Sequence, residues 1–254
     1  MSAAEEIKSV KDMVSAEEWQ LRVDLAATYR LVAMYGWDDM IFTHISARVP
    51  GPEHHFLINP YGMLFEEITA SSLVKVDLEG NIVMDSDYFV NPAGFTIHSA
   101  VHMARDDAHC VLHLHTDDGV AVSAQDDGLL PLSQFSMLVR PHLAYHGYEG
   151  VALDHDERER IIADLGDKNL MLLRNHGTLA VGENCGLAFI AIYFLERACA
   201  TQVRALTAKP HMPTQEAIET VDEQSQSLFQ PGVDALAWPA LLRKLDRLDP
   251  SYRD

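Results

Sequence analysis

The stretch His109–Thr116, HCVLHLHT, sets three histidines at near-alternate positions in an apolar run that reads as a buried strand. Successive side chains of a strand point to opposite faces, so His113 and His115 project together from one side of the sheet. Two readings fit that pair: two metal ligands, or two hydrogen-bonded core histidines. A metal site needs more donors, and LLRNHGTLAVG supplies one. There His176 ends an apolar run and precedes Gly177, which permits tight backbone at a site-lining turn. With His113 and His115 it makes a three-imidazole set that leaves coordination positions open.

Outward from this strand, the chain reads as mixed helices and strands. SAEEW starts a helix with Ser15 as N-cap and Glu18 three residues on, and apolar residues recur at helical spacing until Gly36. ISARV and HFLINP read as short strands, and KVDLEGNIV as a hairpin turning at Glu79-Gly80-Asn81. AGFTIHSAVHMAR has a helical period and AVSAQ resumes a helix, whereas LLPLS, VALDH and NLMLLRNHG read as strands. CGLAFIAIYFLERACATQVRAL predicts a long, well-buried helix. The pattern implies an α/β or layered α/β/α domain over about residues 16–207. A mobile segment, 1–15, precedes it. An acidic, proline-punctuated extension, 208–254, follows, with a short amphipathic helix in WPALLRKLDRLDP for which another subunit is a candidate surface.

The chain of 254 residues is 48% hydrophobic and 22% charged, a globular composition with no uninterrupted apolar run of about 18 residues. Its start has no basic, greasy signal pattern, which points to a cytoplasmic protein. The formal charge of −19 disfavours phosphate backbones and anionic lipid, so neither nucleic acid nor membrane is expected as a partner. Cys110, Cys185 and Cys199 are odd in number and sit in apolar surroundings, and they read as buried thiols.

The motifs INPYGMLFEEITASSLVKVD, NPAGFTIHSAVH, HLHTDDGVAVSA, LLPL, LRNHGTLAVGE and TQVRAL, in this order over about residues 20–207, resemble the class II aldolase/adducin family. The likeness is closer to the adducin head and its bacterial counterparts than to sugar-phosphate aldolases. It implies a three-layer α/β/α fold with a central, mainly antiparallel sheet. It also implies a divalent metal, zinc first and iron, manganese or cobalt as alternatives, held by His113, His115 and His176. A homotetramer with active sites near subunit boundaries, acting on a small-molecule substrate, is implied as well.

The family's aldolases carry an acid/base carboxylate nineteen residues before the first ligand; the matching residue here is Gly94. The serines that hold substrate phosphate there correspond to Pro92 and Ala93, and an asparagine of the phosphate loop to His44. An interfacial tyrosine falls near Phe135. Glycine moves no proton, and neither proline nor alanine donates a side-chain hydrogen bond, so a phosphorylated sugar is not expected as substrate. His98 matches a family histidine and is a candidate for catalysis or for support of the ligands. His102, four residues on, shares its helix face. Asp117 or Asp118 is a candidate base or orienter of a ligand imidazole. Asn59 and Gly62 are candidates for the substrate pocket or for turn chemistry, and Arg174 and Asn175 for a substrate carboxylate or support of the turn. Tyr145 and His146 are further pocket candidates.

Three functions follow. The first is a metal-dependent lyase cleaving a carbon–carbon bond, by retro-aldol reaction or decarboxylation, in a non-phosphorylated oxo- or hydroxy-acid. The second is a non-haem iron oxygenase acting on an aromatic or hydroxy-acid. The third is a non-catalytic adducin-like module.

Overall fold

The structure, a computed structural model, describes residues 9–150 and 157–254, with residues 92–96 by their backbone only. Part of the expected mobile segment, residues 1–8, and the expected strand 151–155 lie outside the described residues. Helices α1 (Val10–Met13) and α2 (Ala16–Met34) lead into strands β1 (His44–Arg48), β2 (Phe56–Ile58) and β3 (Val74–Val76). Helix α3 (Pro92–Ala104), strand β4 (Cys110–Leu114) and helices α4 (Asp117–Ser123) and α5 (Gln134–Val139) follow. Then come β5 (Leu143–His146), α6 (Glu157–Leu165), β6 (Leu170–Leu173), β7 (Gly177–Gly182) and α7 (Cys185–Ala205). Helices α8 (Gln215–Gln224) and α9 (Asp234–Leu248) complete the order.

The strands form one sheet in the order β3-β2-β1-β4-β7-β6-β5, antiparallel throughout except for the parallel pair β5/β6. Alternation along β4 sorts its side chains onto two faces. Cys110, Leu112 and Leu114 join the core under α2, α4, α5 and α7, while Val111 joins the one under α3 and α6. The result is the expected α/β/α sandwich. His113 and His115 share Val111's face, and the register His44↔His113, Ser46↔Val111 brings His44 and Ser46 to the same side. The candidate ligands therefore lie on the α3/α6 face.

Local chemistry explains the elements. Ser15 Oγ accepts the Glu18 N–H (3.1 Å), and Gly36 at φ +68° stops α2. The Glu18 carboxylate does not close a capping box; it turns inward to Arg22 (3.1 Å) and Lys75 (2.8 Å). Arg22, buried, also donates to the carbonyls of Ala70 and Leu73, pinning α2 beside β3. The hairpin after β3 turns as expected, with Asp77 Oδ1 accepting the N–H groups of Glu79 and Asn81. All three cysteines are buried free thiols.

LLPLS is not a strand. Pro131 has no N–H, and the N–H groups of Leu129 and Leu130 go to Tyr145 Oη and Gln202 Oε1, so nothing remains for a ladder. Ser133 instead caps α5. The extension beyond 208 carries α8, capped by Thr214, and a longer α9 than expected. Within the chain, α9 packs through Trp238, which lies against Phe189 and donates to Asp24 (3.2 Å); beyond the helix, the buried Tyr252 gives its carbonyl to the Ala70 N–H. Among the described helices only α7 is long and apolar enough to cross a membrane, and 67% of that stretch is buried within the protein.

Candidate metal centre

The end of β4 and the turn between β6 and β7 build the site. Asn175, at φ +56°, takes the left-handed conformation that asparagine tolerates, and the His176 N–H closes the turn on the Leu173 carbonyl (3.1 Å). Gly177 is required by close approach: a Cβ there would lie 2.3 Å from the Leu114 carbonyl oxygen and 3.1 Å from the His115 ring. The turn thus delivers His176 onto the β4 histidines.

One nitrogen from each of the His113, His115 and His176 rings lies within 4.8 Å of the other two. His113 Nε2 is 2.9 Å from His115 Nε2 and 3.3 Å from His176 Nε2. The opposite ring atoms fix the tautomers. His113 Nδ1 donates to the Thr178 carbonyl (3.0 Å) and His115 Nδ1 to Asp39 Oδ2 (3.1 Å). With both rings neutral the two Nε2 atoms present lone pairs, and two lone pairs facing each other at 2.9 Å repel unless a proton or a metal ion lies between them. Two zinc–imidazole bonds of about 2.05 Å at a tetrahedral angle place their nitrogens about 3.3 Å apart. The donor set therefore fits a divalent metal.

Asp39, which sequence reading did not single out, takes the orienting role offered to Asp117 or Asp118. The signal was faint, because GWDDM carries no motif and only the fold brings it to β4. Asp118 is paired with Arg204 (2.9 Å), and Asp117 is exposed in the first turn of α4, with no hydrogen bond to the triad among the described residues. Replacing Asp39 with Ala should weaken metal binding about tenfold to a hundredfold, as loss of a ligand's hydrogen-bond partner does. Titration of the metal-free variant against a competing chelator checks this, and its thermal midpoint should stay near that of the parent.

A second layer of imidazoles backs the triad. The His44 ring stacks 6.1 Å from that of His113, and the His98 ring stands edge-on 5.6 Å from that of His44. Ser46 Oγ joins His98 Nδ1 (2.6 Å) to His102 Nε2 (2.7 Å), whose Nδ1 donates to the Ala108 carbonyl (2.7 Å). His98 thus stands behind His44 rather than against the triad. Burial, with neighbouring imidazoles adding to it, holds His44 at about 3 and His176 at about 4. Burial also lowers His102 to about 3 and keeps His113 and His98 well below the usual histidine range. His113 and His176 are therefore neutral near pH 7 and ready to ligate without losing a proton.

These depressions set a pH dependence of stability. Between about pH 3 and 6.5 the unfolded chain binds protons that the folded one refuses, so the stabilisation present above pH 6.5 is lost as pH falls. Each such imidazole contributes roughly 1.4 kcal/mol per pH unit over its window. The urea midpoint of the metal-free protein should fall steeply from pH 6.5 to 5, and His102→Gln should flatten that slope.

The other candidates divide. Asn59 is buried beside Tyr29 Oη, which lies 2.9 Å from its Oδ1 and accepts the N–H groups of Asn59 (3.1 Å) and Ile45 (2.8 Å). Gly62, at φ +108°, is an exposed turn residue, and Asn175 is exposed at its turn. Gly94 lies in the first turn of α3. Arg174 supports its turn, donating to the Gln125 carbonyl (2.6 Å) and covering the Tyr145 ring. His146 Nδ1 is 2.7 Å from Asp164, and Phe135 packs on Phe194. Tyr148, exposed and 6.5 Å from the His176 ring, borders the triad.

A layered α/β/α sheet carries three convergent imidazoles that could hold a metal ion, and sequence comparison places the chain in a family. Residues 23–203 match the family described as class II aldolase and adducin N-terminal domain, and the chain belongs to that family. A Caulobacter vibrioides protein grouped with the class 2 aldolases is 62% identical over 248 residues, 97% of this chain and 96% of its own. Rat alpha-adducin is 48% identical over 191 residues, covering 74% of this chain and 26% of that protein. The solved structure of L-fuculose 1-phosphate aldolase from Glaciozyma antarctica superposes with a TM-score of 0.80 at 26% identity, covering 99% of this chain and 97% of its own.

Proposed function

We propose that the protein is a divalent-metal-dependent lyase that breaks a carbon–carbon bond in a non-phosphorylated oxo- or hydroxy-acid, by decarboxylation in preference to retro-aldol cleavage. The observation that carries this reading is the pair of Nε2 lone pairs of His113 and His115, 2.9 Å apart with both Nδ1 atoms already committed to acceptors. Zinc suits the imidazole set first, with iron, manganese and cobalt as alternatives. Bound there, the metal supplies the Lewis acidity that polarises a substrate oxygen and stabilises charge left by the departing carbon.

The chain's own residues then divide the remaining work. His113, His115 and His176 hold the metal, while the Thr178 carbonyl and Asp39 fix two of their rings. His115 and His176 are partly exposed, so substrate enters from their side, past Tyr148. A retro-aldol step requires a base to take the hydroxyl proton, and position 94 is glycine. Decarboxylation requires none: the bond to the carboxylate carbon breaks, carbon dioxide leaves, and water protonates the carbon that keeps the electron pair. Pro92 and Ala93 offer no side-chain donors to a phosphate.

The 48% identity to alpha-adducin favours a second reading, a non-catalytic oligomeric module. One experiment separates the two. Protein purified without a chelating affinity step is assayed for metal and then for carbon dioxide and aldehyde release from a panel of oxo- and hydroxy-acids. The lyase reading expects about one metal per chain and turnover lost on metal removal. No metal and no turnover, with a stable oligomer, favours the module. Iron with oxygen consumption would instead mark an oxygenase. A homotetramer in the cytoplasm, with sites at subunit boundaries, belongs to the same proposal, and sedimentation velocity tests its oligomeric part.

A further inference from the structure

Behind the triad, on the opposite face of the sheet, α7 carries a buried carboxylate that the proposed chemistry does not use. Glu196 Oε1 accepts the Thr178 hydroxyl (2.6 Å) and Oε2 the Thr116 hydroxyl (2.5 Å). Those two threonines sit at the points where the ligands leave the sheet. Thr116 directly follows His115. Thr178 lies two residues after His176, and its carbonyl accepts from His113 Nδ1 (3.0 Å). One carboxylate therefore ties the end of β4 to the start of β7, the two places from which all three imidazoles project.

The packing leaves the carboxylate little freedom. Glu196 is only 2% exposed, and a Cβ on Gly119 would fall 2.6 Å from Thr116 Oγ1 and 3.3 Å from Glu196 Oε1. A buried carboxyl is costly unless its oxygens are hydrogen-bonded, and burial raises this one to about 7 against the pull of the two hydroxyls. A glutamate used only to fill the core would be replaced at less cost by leucine or methionine.

We propose that Glu196 is a positioning residue for the metal centre: by binding both threonine hydroxyls from the back of the sheet it sets the spacing of the three imidazoles in front. The inference rests on the metal-site reading above. Its ligand partners are reached through the strands, so Glu196 touches neither the metal nor the substrate.

The test uses cobalt(II), whose visible absorption reports the ligand geometry directly, added to the metal-free full-length protein and to the Glu196→Gln, Glu196→Ala and Leu195→Ala variants. Leu195 is a buried neighbour on α7 that makes no polar contact, so it controls for general destabilisation. Glu196→Ala is expected to weaken cobalt binding by about tenfold to a hundredfold and to shift the absorption bands. Glu196→Gln, which keeps one acceptor and the shape, should fall between it and the parent, while Leu195→Ala loses thermal stability but keeps the parent spectrum and affinity. Should Glu196→Ala not fold, Thr178→Val removes one of the two bonds at constant shape and is expected to show the same shift in smaller measure. Parent-like affinity and spectrum in a folded Glu196→Ala or Thr178→Val would overturn the inference while leaving the metal site intact. A parent protein that binds no cobalt would overturn both.

Discussion

Replacing His113 with alanine should abolish stoichiometric metal binding at micromolar metal and remove all metal-dependent turnover. His113 is the hub of the triad, with its Nε2 within 3.3 Å of both other Nε2 atoms. If the roughly 10–16 kcal/mol of a four-ligand zinc site divides evenly among its ligands, each contributes about 3 kcal/mol, or about 10²- to 10³-fold in affinity. Removing the hub also frees His115 and His176 to drift apart. The metal-free fold should survive, because the substitution leaves the backbone ladder of β4 unchanged. Chelator competition and far-ultraviolet circular dichroism on the same sample separate the two effects. A variant that keeps parent affinity would remove His113 from the site.

Replacing Gly177 with alanine should lower both stability and metal affinity. The added Cβ meets a backbone oxygen, that of Leu114, at 2.3 Å. A backbone atom inside a paired strand yields only if the ladder does, and β7 pairs with β4 on one side and β6 on the other. Overpacking of this kind costs about 3 kcal/mol, and relieving it moves the strand end that carries His115. Denaturant unfolding should show a lower midpoint at unchanged slope, and chelator competition a weaker site. Unaltered stability would mean that the two strands lie further apart than described.

Much of this architecture is legible in the sequence because it is written in periodicity. The apolar alternation of β4, the helical spacing from Ala16 to Gly36 and the long run of α7 each follow from where their side chains must be buried. The triad is legible too, since His113 and His115 obey the two-residue period of a strand and His176 stands beside a glycine. What escapes has no local signature. Asp39 reaches His115 across 76 positions, and Glu196 reaches Thr116 across 80, so only the assembled sheet shows their roles. Asp117 looks suited to orienting a ligand because it is near in sequence, yet its place in the first turn of α4 leaves it exposed. LLPLS misleads because its alternation ignores the N–H that Pro131 lacks and the side chains that claim its neighbours.

The central claim is that three imidazoles meet one cation through their Nε2 atoms. X-ray absorption spectroscopy of the zinc-loaded protein tests it most directly. The account predicts one zinc per chain with three imidazole nitrogens at about 2.0–2.1 Å and an oxygen donor completing the shell. Zinc bound through carboxylate oxygens or thiolate sulfur, or no stoichiometric zinc at all, would contradict it.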